Sequence, residues 1–437
     1  MDLMEKIVSL CKRRGFIYQG SEIYGGLAGT WDYGPLGVLL KENVKNIWKN
    51  LFIDTKNVYP VDAAILMNPK AWEASGHVAG FSDPLVECKK CKRRFRADHV
   101  DGDTCPECGG ALSEPKQFNM MFKTHAGASE DDASAVYLRP ETAGGMFVNF
   151  KNIIDSLHPK LPFGLGQIGK AFRNEIAPRD FLFRAREFEQ MEVEYFVKPG
   201  EWESAFEEWR ATMHEFAKII GLPQDAVHEL EVGDGDRAHY SKRTIDFEFD
   251  YPFGRKELWG LAYRTDFDLS AHAKTSGQEL SYLDEETKER VTPHVIEPSL
   301  GVDRTLLALL ASAYREDEMG GEKRVYLALS PAVAPYKAMV SPLLKNKPEL
   351  VAKAKSVREI LQNKVHPWIV WDDNGNIGKR YRRQDEVGTP FCITIDFDTL
   401  ENDTVTVRHR DTGAQERVEI EELPEYLSSR IKLNVVR

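Results

Sequence analysis

The 437-residue chain is long enough for two or three domains with cores of their own. It is 42% hydrophobic and 29% charged, with a formal net charge of −11, the make-up of a soluble globular protein without the global positive field of a DNA-coating one. No apolar run approaches the roughly 20 residues that span a bilayer, so no membrane partner is expected. An RNA partner is left open on a local basic patch.

The start, "MDLMEKIVSLCKRRGF", has acids at positions 2 and 5 and no apolar signal region. It reads as an amphipathic helix, and the chain as cytoplasmic. Residues 35–52 open with Pro35 and space Val38, Leu39, Val44, Ile47, Trp48 and Leu51 as a helix does. His77 of "SGH" and His294 read first as structural and second as neighbours of an active site, and the Met120–Met121 pair as core. Four of the six cysteines, Cys88, Cys91, Cys105 and Cys108, form two CxxC pairs inside 88–108. Such knuckles bring four thiolates round one structural Zn²⁺ with no open coordination position, which suits a reducing compartment. The basic run of Lys89, Lys90, Lys92, Arg93 and Arg94 reads first as solvated surface and second as a contact for an RNA backbone. Cys11 and Cys392 read as packing residues.

"LPFGLGQIGKAFRNE" then turns strand-like and leads into "FRNEIAPRDFLFRAREFEQMEVEYF", residues 172–196, read as a strand hairpin. Strand side chains alternate faces, which puts Arg173 with Glu175, and Arg184, Arg186, Phe188, Gln190, Glu192 and Glu194 on one surface. That surface carries guanidinium groups at one end, a ring midway and carboxylates at the other. Arginine forks suit phosphate, a ring stacks on a base, and carboxylates hold an ammonium group. The bland alternative is a solvated sheet face laced with ion pairs.

Residues 200–220 read as an amphipathic helix, with strands near 244–249 and 257–268. "EPSLGVDR", 297–304, is a glycine turn opening a helix that carries Leu306, Leu307 and Leu310. Its backbone N–H groups and positive end suit an anion, with Arg304 beside them. "REDEMGGEK", 315–323, reads as a linker. Beyond it "VYLALS", a helix near 349–363, "HPWIVWDD", "FCITIDF" and "TVTVRHR" alternate as a separate α/β unit.

The charged hairpin and "GVDR" together resemble the second and third motifs of class II aminoacyl-tRNA synthetases. The finer resemblance is to the single-chain, homodimeric glycyl-tRNA synthetase family. It is carried by "WDYGPLG", "SGH", "RPETA", "FRNEIAPR", "REFEQMEVEYF", "RTDFDL", "PHVIEPSLGVDR" and "GKRYRRQDEVGTP", in family order from Trp31 to Pro390. It implies an α+β fold: a class II antiparallel sheet flanked by helices over 1–323, with a zinc-ribbon insertion at 86–112 and a helical insertion at 198–230. A C-terminal α/β anticodon-binding domain would occupy 324–437. The implied activity is ATP-dependent ligation of glycine to its tRNA through glycyl-adenylate, with Mg²⁺ as cofactor.

Carried over residue by residue, Arg173 and Arg304 would be catalytic. ATP would meet Arg173, Asn174, Glu175, the segment Phe183, Arg184, Ala185, Arg186, Glu187 and Phe188, then Glu257 and Leu258, and Gly301, Val302, Asp303 and Arg304. Glu257 is also the candidate Mg²⁺ ligand. Glycine would meet Arg96, Glu141, Phe188, Glu189, Gln190, Met191, Glu192, Arg264, Glu297, Pro298, Ser299, Leu300 and Gly301. Lys379, Arg380, Arg382 and Arg383, around Tyr381, would contact tRNA. One departure stands out: after "RPETA" the family usually has Gln then Gly, whereas this chain has Gly144–Gly145. The amide near Glu141 is missing.

Three rivals remain at this level. They are a class II synthetase for another small amino acid, a non-catalytic synthetase-like binding module, and adenylation without transfer to tRNA. Glu141, Glu192 and Glu297 with the "EPSLGVDR" match, then Arg173 and Arg304, then the C-terminal unit argue against them in that order.

Overall fold

The computed structural model describes residues 2–131 and 134–431. Residues 432–437, the end of the expected C-terminal unit, lie outside the described residues. Helix α1 (Leu3–Arg14) begins where the Asp2 side chain accepts from the Glu5 N–H and Glu5 reaches back to the Asp2 N–H. It stops at Gly15, which takes the left-handed φ of 77° that a side chain resists. Helix α2 (Pro35–Trp48) has its proline in the first turn, where no N–H is needed, and runs on as a wider turn over Lys49–Asp54.

Seven strands make the central sheet: β1 (Val58–Pro60), β2 (Phe163–Phe172), β3 (Glu187–Val197), β4 (Val227–Glu231), β5 (Arg243–Tyr251), β6 (Gly254–Thr265) and β7 (His294–Gly301). Their order across the sheet is β4-β5-β6-β7-β3-β2-β1, antiparallel throughout except β2 with β1. Cross-strand pairs Gln167–Glu192, Glu192–Ser299, Ser299–Gly260 and Asp246–Gly260 fix one face, and Met191–Leu300–Trp259 the other.

The second face is the dry one. Met191, Val193, Phe247, Trp259 and Leu300 pack there with α1, α2, helix α4 (Trp202–Ile220) and helix α6 (Val302–Ala313). Helices α3 (Ala143–Leu157) and α5 (Phe267–Ser276) cover only one end of the opposite face, around Phe147, Phe150, Phe163 and Phe196. The middle of that face is left open. Segment 198–230, expected as a helical insertion, packs into this core. Its helix α4 buries Phe206, Trp209, Met213 and Phe216 against the sheet, and its tail supplies edge strand β4.

Residues 315–323 are not a linker. Tyr314–Met319 and Glu322–Leu327 pair as a hairpin that turns at Gly320 and Gly321, both at positive φ. Leu327, Leu329, Val333 and Ala334 still belong to the first core, so "VYLALS" closes that unit rather than opening the next. The second core is built on β8 (Ala338–Pro342), β9 (Ile369–Trp371), β10 (Phe391–Ile395), β11 (Thr404–His409) and β12 (Gln415–Glu419). Their order is β9-β8-β10-β11-β12, parallel in its first three strands. Helices α7 (Pro348–Lys364) and α8 (Ile377–Val387) are the long helices of this unit. Helix α1 bridges the two units, packing on α6 and on α8, with Arg13 and Arg14 on Glu386 and Lys6 on Glu316. Among the described residues no helix is long and apolar enough to cross a membrane.

Candidate active site

The charged stretch is only partly strand. β2 ends at Phe172 and β3 begins at Glu187, so residues 173–186 are a loop and alternation does not govern Arg184 and Arg186. Arg173 sits between the rings of Phe81 and Phe188, 5.4 and 5.3 Å from their centroids, and its Nε donates to the Pro140 carbonyl at 3.1 Å. Arg184 meets Glu175 at 3.3 Å. Arg186 turns away and donates to the carbonyls of Glu175 and Ala28.

From Phe188 onward the alternation holds. Phe188, Gln190 and Glu192 face a cavity of about 460 Å³ on the open side of the sheet, a volume usual for a small-ligand site. Arg96, Glu141, Arg173, Glu175, Phe183, Arg184 and Ala185 also line it, with Glu257 and Leu258 from β6, Glu297, Ser299 and Gly301 from β7, and Asp303 and Arg304 from α6.

Several expected side chains are not there. Glu189, Met191, Pro298 and Leu300 occupy the intervening strand positions and point to the back of the sheet, where Glu189 pairs with Lys41 and Lys45 of α2. Val302 is fully buried in the first core, Glu187 is ion-paired to Lys170, and Asn174 lines a separate groove beside Met121 and Phe118. A strand reads as one block in sequence, but only every second residue reaches a ligand on one face.

The two ends of the cavity differ in charge. At one end Arg304 donates to the carbonyls of Phe183 and Glu257, meets the Glu257 carboxylate at 3.1 Å and lies over the Phe183 ring at 4.4 Å. Arg304 holds the Glu257 carboxyl below its usual range, against the pull of burial. Asp303 accepts from the Tyr33 hydroxyl and the Glu189 N–H, which fixes the first turn of α6.

At the other end Glu192 accepts from the hydroxyls of Ser299, at 2.6 Å, and Thr142. Arg264, beneath the cavity floor rather than lining it, bonds Glu297 at 2.8 Å and Asp268 at 2.7 Å and lies 3.7 Å from the Tyr240 ring centroid. Burial raises the Glu297 carboxyl well above its usual range; Arg264 opposes this, and Glu192 and Glu141 add to it. Burial also acts on Glu141, but His77, Arg264 and Arg173 outweigh it and hold that carboxyl at about 2. This end gathers the carboxyl groups of Glu141, Glu192 and Glu297 within one cavity wall, so it suits a cation.

The four cysteine sulfurs lie within 4.8 Å of one another, beside the three-stranded sheet of Ser82–Glu87, Arg94–Arg96 and Lys116–Asn119. An all-thiolate set at that spacing fits Zn²⁺. The Cys91 N–H donates to Cys88 Sγ at 3.4 Å and is the largest influence bringing that thiol down to about 6, toward the thiolate a metal needs. The same sheet delivers Arg96, held by Asp83 at 2.6 Å and Asp98 at 2.7 Å, to the cavity rim.

The basic run near the C-terminus is less available than its sequence suggests. Arg380 is 1% exposed and donates to Ser341 Oγ and to the carbonyls of Pro342 and Gly375. Arg383 forks onto Asp372 at 2.9 and 2.7 Å, and Arg382 donates to the Met319 carbonyl at 2.8 Å. Tyr381 is hydrogen-bonded to Thr394 with Arg408 over its ring, so it is no free stacking platform. Of the four cations, Lys379 alone is exposed.

Sequence reasoning missed the far wall. Thr244 and Asp246 line the cavity from β5, and Arg237 and Tyr240 from the loop before it. The alternation of "TIDFEF" marks Thr244 and Asp246 as one face; nothing in the loop marks Tyr240. Burial, Glu257 and Glu248 push the Asp246 carboxyl up to about 7.

Arginines at one end of the cavity and carboxylates at the other, on the open face of an antiparallel sheet, suit a ligand with an anionic and a cationic end. Residues 122–313 match the family model "tRNA synthetase class II core domain (G, H, P, S and T)", and residues 337–430 match "Anticodon binding domain". Curated relatives include the glycine--tRNA ligases of Alkaliphilus oremlandii (51% identical, 98% of each chain covered) and Clostridium acetobutylicum (50%, 98% of this chain and 99% of the relative). That of Bacillus cereus strain ZK is 49% identical over the same shares. The chain belongs to the glycine--tRNA ligase family.

Proposed function

We infer that the protein ligates glycine to its tRNA in two steps at this cavity, first forming glycyl-adenylate and pyrophosphate from glycine and ATP, then passing the glycyl group to the tRNA 3′ end with release of AMP. The polarity of the cavity carries this reading: cations where a triphosphate would lie, carboxyl groups where an ammonium group would lie.

Adenylation is in-line attack of the glycine carboxylate on the ATP α-phosphorus, and it needs positioning and charge neutralisation rather than a protein nucleophile. Arg173, at the junction of the two ends, would hold both the α-phosphate and the glycine carboxylate, and Phe188 behind it would stack on adenine. Arg184 and Glu175 would frame the nucleotide, and Arg304 would take the outer phosphates. Glu141, Glu192 and Glu297 would surround the ammonium group. Ser299, tied to Glu192, would crowd the place of a β-carbon, which rejects larger amino acids.

Class II synthetases use a divalent metal with ATP. Glu257 would hold Mg²⁺ here together with Asp246, which lines the same wall of the cavity. Bound there, the ion would neutralise charge on the leaving pyrophosphate. The four-cysteine knuckle would hold Zn²⁺ as a structural ion that fixes Arg96. The two cores would act as catalytic and anticodon-binding units of a cytoplasmic homodimer without a DNA partner. The dimer reading is supported by Ile23 and Tyr24, 89% and 87% exposed beside the loop that Arg186 secures.

Amino-acid-dependent ATP–pyrophosphate exchange, run with each of the twenty amino acids and no tRNA, tests the reading. Exchange with glycine alone is expected. Exchange with serine or alanine instead would keep the fold and overturn the pocket assignment. No exchange from folded, zinc-loaded protein would make the chain a binding module.

A further inference from the structure

The tripeptide Ser75-Gly76-His77 reaches the cavity wall from behind. His77 opens a single helical turn, His77–Gly80, and is 8% exposed. Its Nε2 lies 3.3 Å from Glu141 Oε2, and its Nδ1 lies 2.8 Å from Ser75 Oγ. Glu141 is ionised across the working pH range and can only accept, so the proton in the first contact belongs to Nε2. The Ser75 hydroxyl on the other nitrogen fixes the ring.

Packing holds the imidazole from both sides. Trp72 meets it edge-on, with centroids 5.5 Å apart and planes at 78°, and Phe81 stands at 5.4 Å. The Asn119 amide donates to the carbonyls of His77 and Val78 at 3.3 and 2.8 Å, pinning the turn to the sheet beside the cysteine cluster. Trp72 is itself fully buried, and it lies so close to α3 that a Cβ added at Gly144 would stand 2.8 Å from its ring. At Gly144, where the family usually has Gln, a side chain would press on that indole. One short stretch, Glu141–Gly144, presents the carboxylate to the cavity and the empty site that seats the ring behind His77.

We propose that His77 is a positioning residue for substrate glycine, donating from Nε2 to Glu141 and setting the angle at which that carboxylate meets the ammonium group. Ser75, Trp72 and the bare Gly144 hold the imidazole in place. The inference rests on Glu141 being an ammonium ligand. Glycine offers an enzyme only an ammonium and a carboxylate to grip, so a carboxylate free to swing loses a large part of the available recognition. The effect belongs to glycine binding and leaves ATP binding untouched.

Glycine-dependent exchange by the full-length, zinc-loaded protein tests it, reading KM for glycine, KM for ATP and kcat separately for Glu141→Gln, His77→Phe and His77→Gln. His77→Phe keeps a ring against Trp72 and Phe81 but has no donor. It should raise the glycine KM about tenfold, the worth of one hydrogen bond to a charged group, with the ATP KM unchanged. His77→Gln restores an N–H and should recover most of that loss. A raised glycine KM in Glu141→Gln with none in His77→Phe would reduce His77 to a packing residue and overturn the proposal. An unchanged glycine KM in Glu141→Gln would sink the assignment of Glu141, and the role of His77 with it. Should His77→Phe fail to fold, Ser75→Ala removes only the hydroxyl on Nδ1. It should raise the glycine KM about threefold, by loss of a neutral hydrogen bond, and no change would count against the proposal.

Discussion

Two arginine-rich segments look alike in sequence and do opposite things. In "FRNEIAPRDFLFRAR" the guanidinium groups of Arg173 and Arg184 stand at the wall of an open cavity. In "GKRYRR" the guanidinium of Arg380 is closed in the interior among carbonyls, and Arg383 is clamped by Asp372. Around them Arg324 and Arg408 share the fully buried Asp385, which ties the hairpin of 314–327 to α8 and β11. The difference lies in the acceptors. A loop crossing an open sheet face leaves arginines facing solvent and ligand, whereas a helix docked on a second unit supplies carbonyls and carboxylates that engage them internally. A buried guanidinium of the second kind builds structure and leaves little for a partner.

Substitutions can break that comparison. The largest effect is expected at the cavity. Arg173→Ala should lower glycine-dependent exchange about a thousandfold, as loss of a charge-stabilising donor does, while the melting temperature moves by no more than about 3 °C. A melting shift that accounts for the lost activity would place Arg173 with the structural arginines. Next, Arg380→Ala should lower unfolding stability by about 3 kcal/mol through orphaned carbonyls, measured by urea denaturation, with exchange per folded molecule near wild type. Retained stability would show that the buried network is not what holds the second unit. The smallest effect belongs to Lys379→Ala. Aminoacylation should show a modestly higher KM for tRNA and a salt slope of tRNA binding reduced by about 1, the signature of one lost phosphate contact, with exchange unaltered. An unchanged slope would move the tRNA contact away from α8.

Much of the fold was legible because burial leaves a period in the sequence. Helices α2 and α4 repeat apolar residues at helical spacing, and β3 alternates from Phe188 onward, so both the elements and the open face could be read. Strand β8 could not. "AMVSP" is buried in all five residues, pairs in parallel on both sides and shows no alternation. The hairpin at 314–327 was hidden for the opposite reason: its charges and glycines look like a linker, although two positive-φ glycines are what a tight turn requires.

At the site, motif resemblance marked the right segments and overshot within them. It grouped Glu189, Met191 and Leu300 with their neighbours, although the pleat sends them to the back of the sheet. Tyr240 was invisible because a loop residue acquires its place only from the chain folded around it. The contact of His77 with Glu141 at 3.3 Å was invisible for the same reason, since more than sixty residues separate the two in the chain.

Helix α1 carries a consequence for how the chain comes off the ribosome. It is made well before two of its docking surfaces, α6 and α8, which consist of residues beyond 300 and 376. Through most of synthesis Ile7, Leu10 and Cys11 have no such surface to rest on, and an amphipathic segment left waiting is a natural client for a holding chaperone. Synthesis of α8 is then the event that lets α1 settle. A chain truncated before α8 should be recognised by quality control from its opposite end.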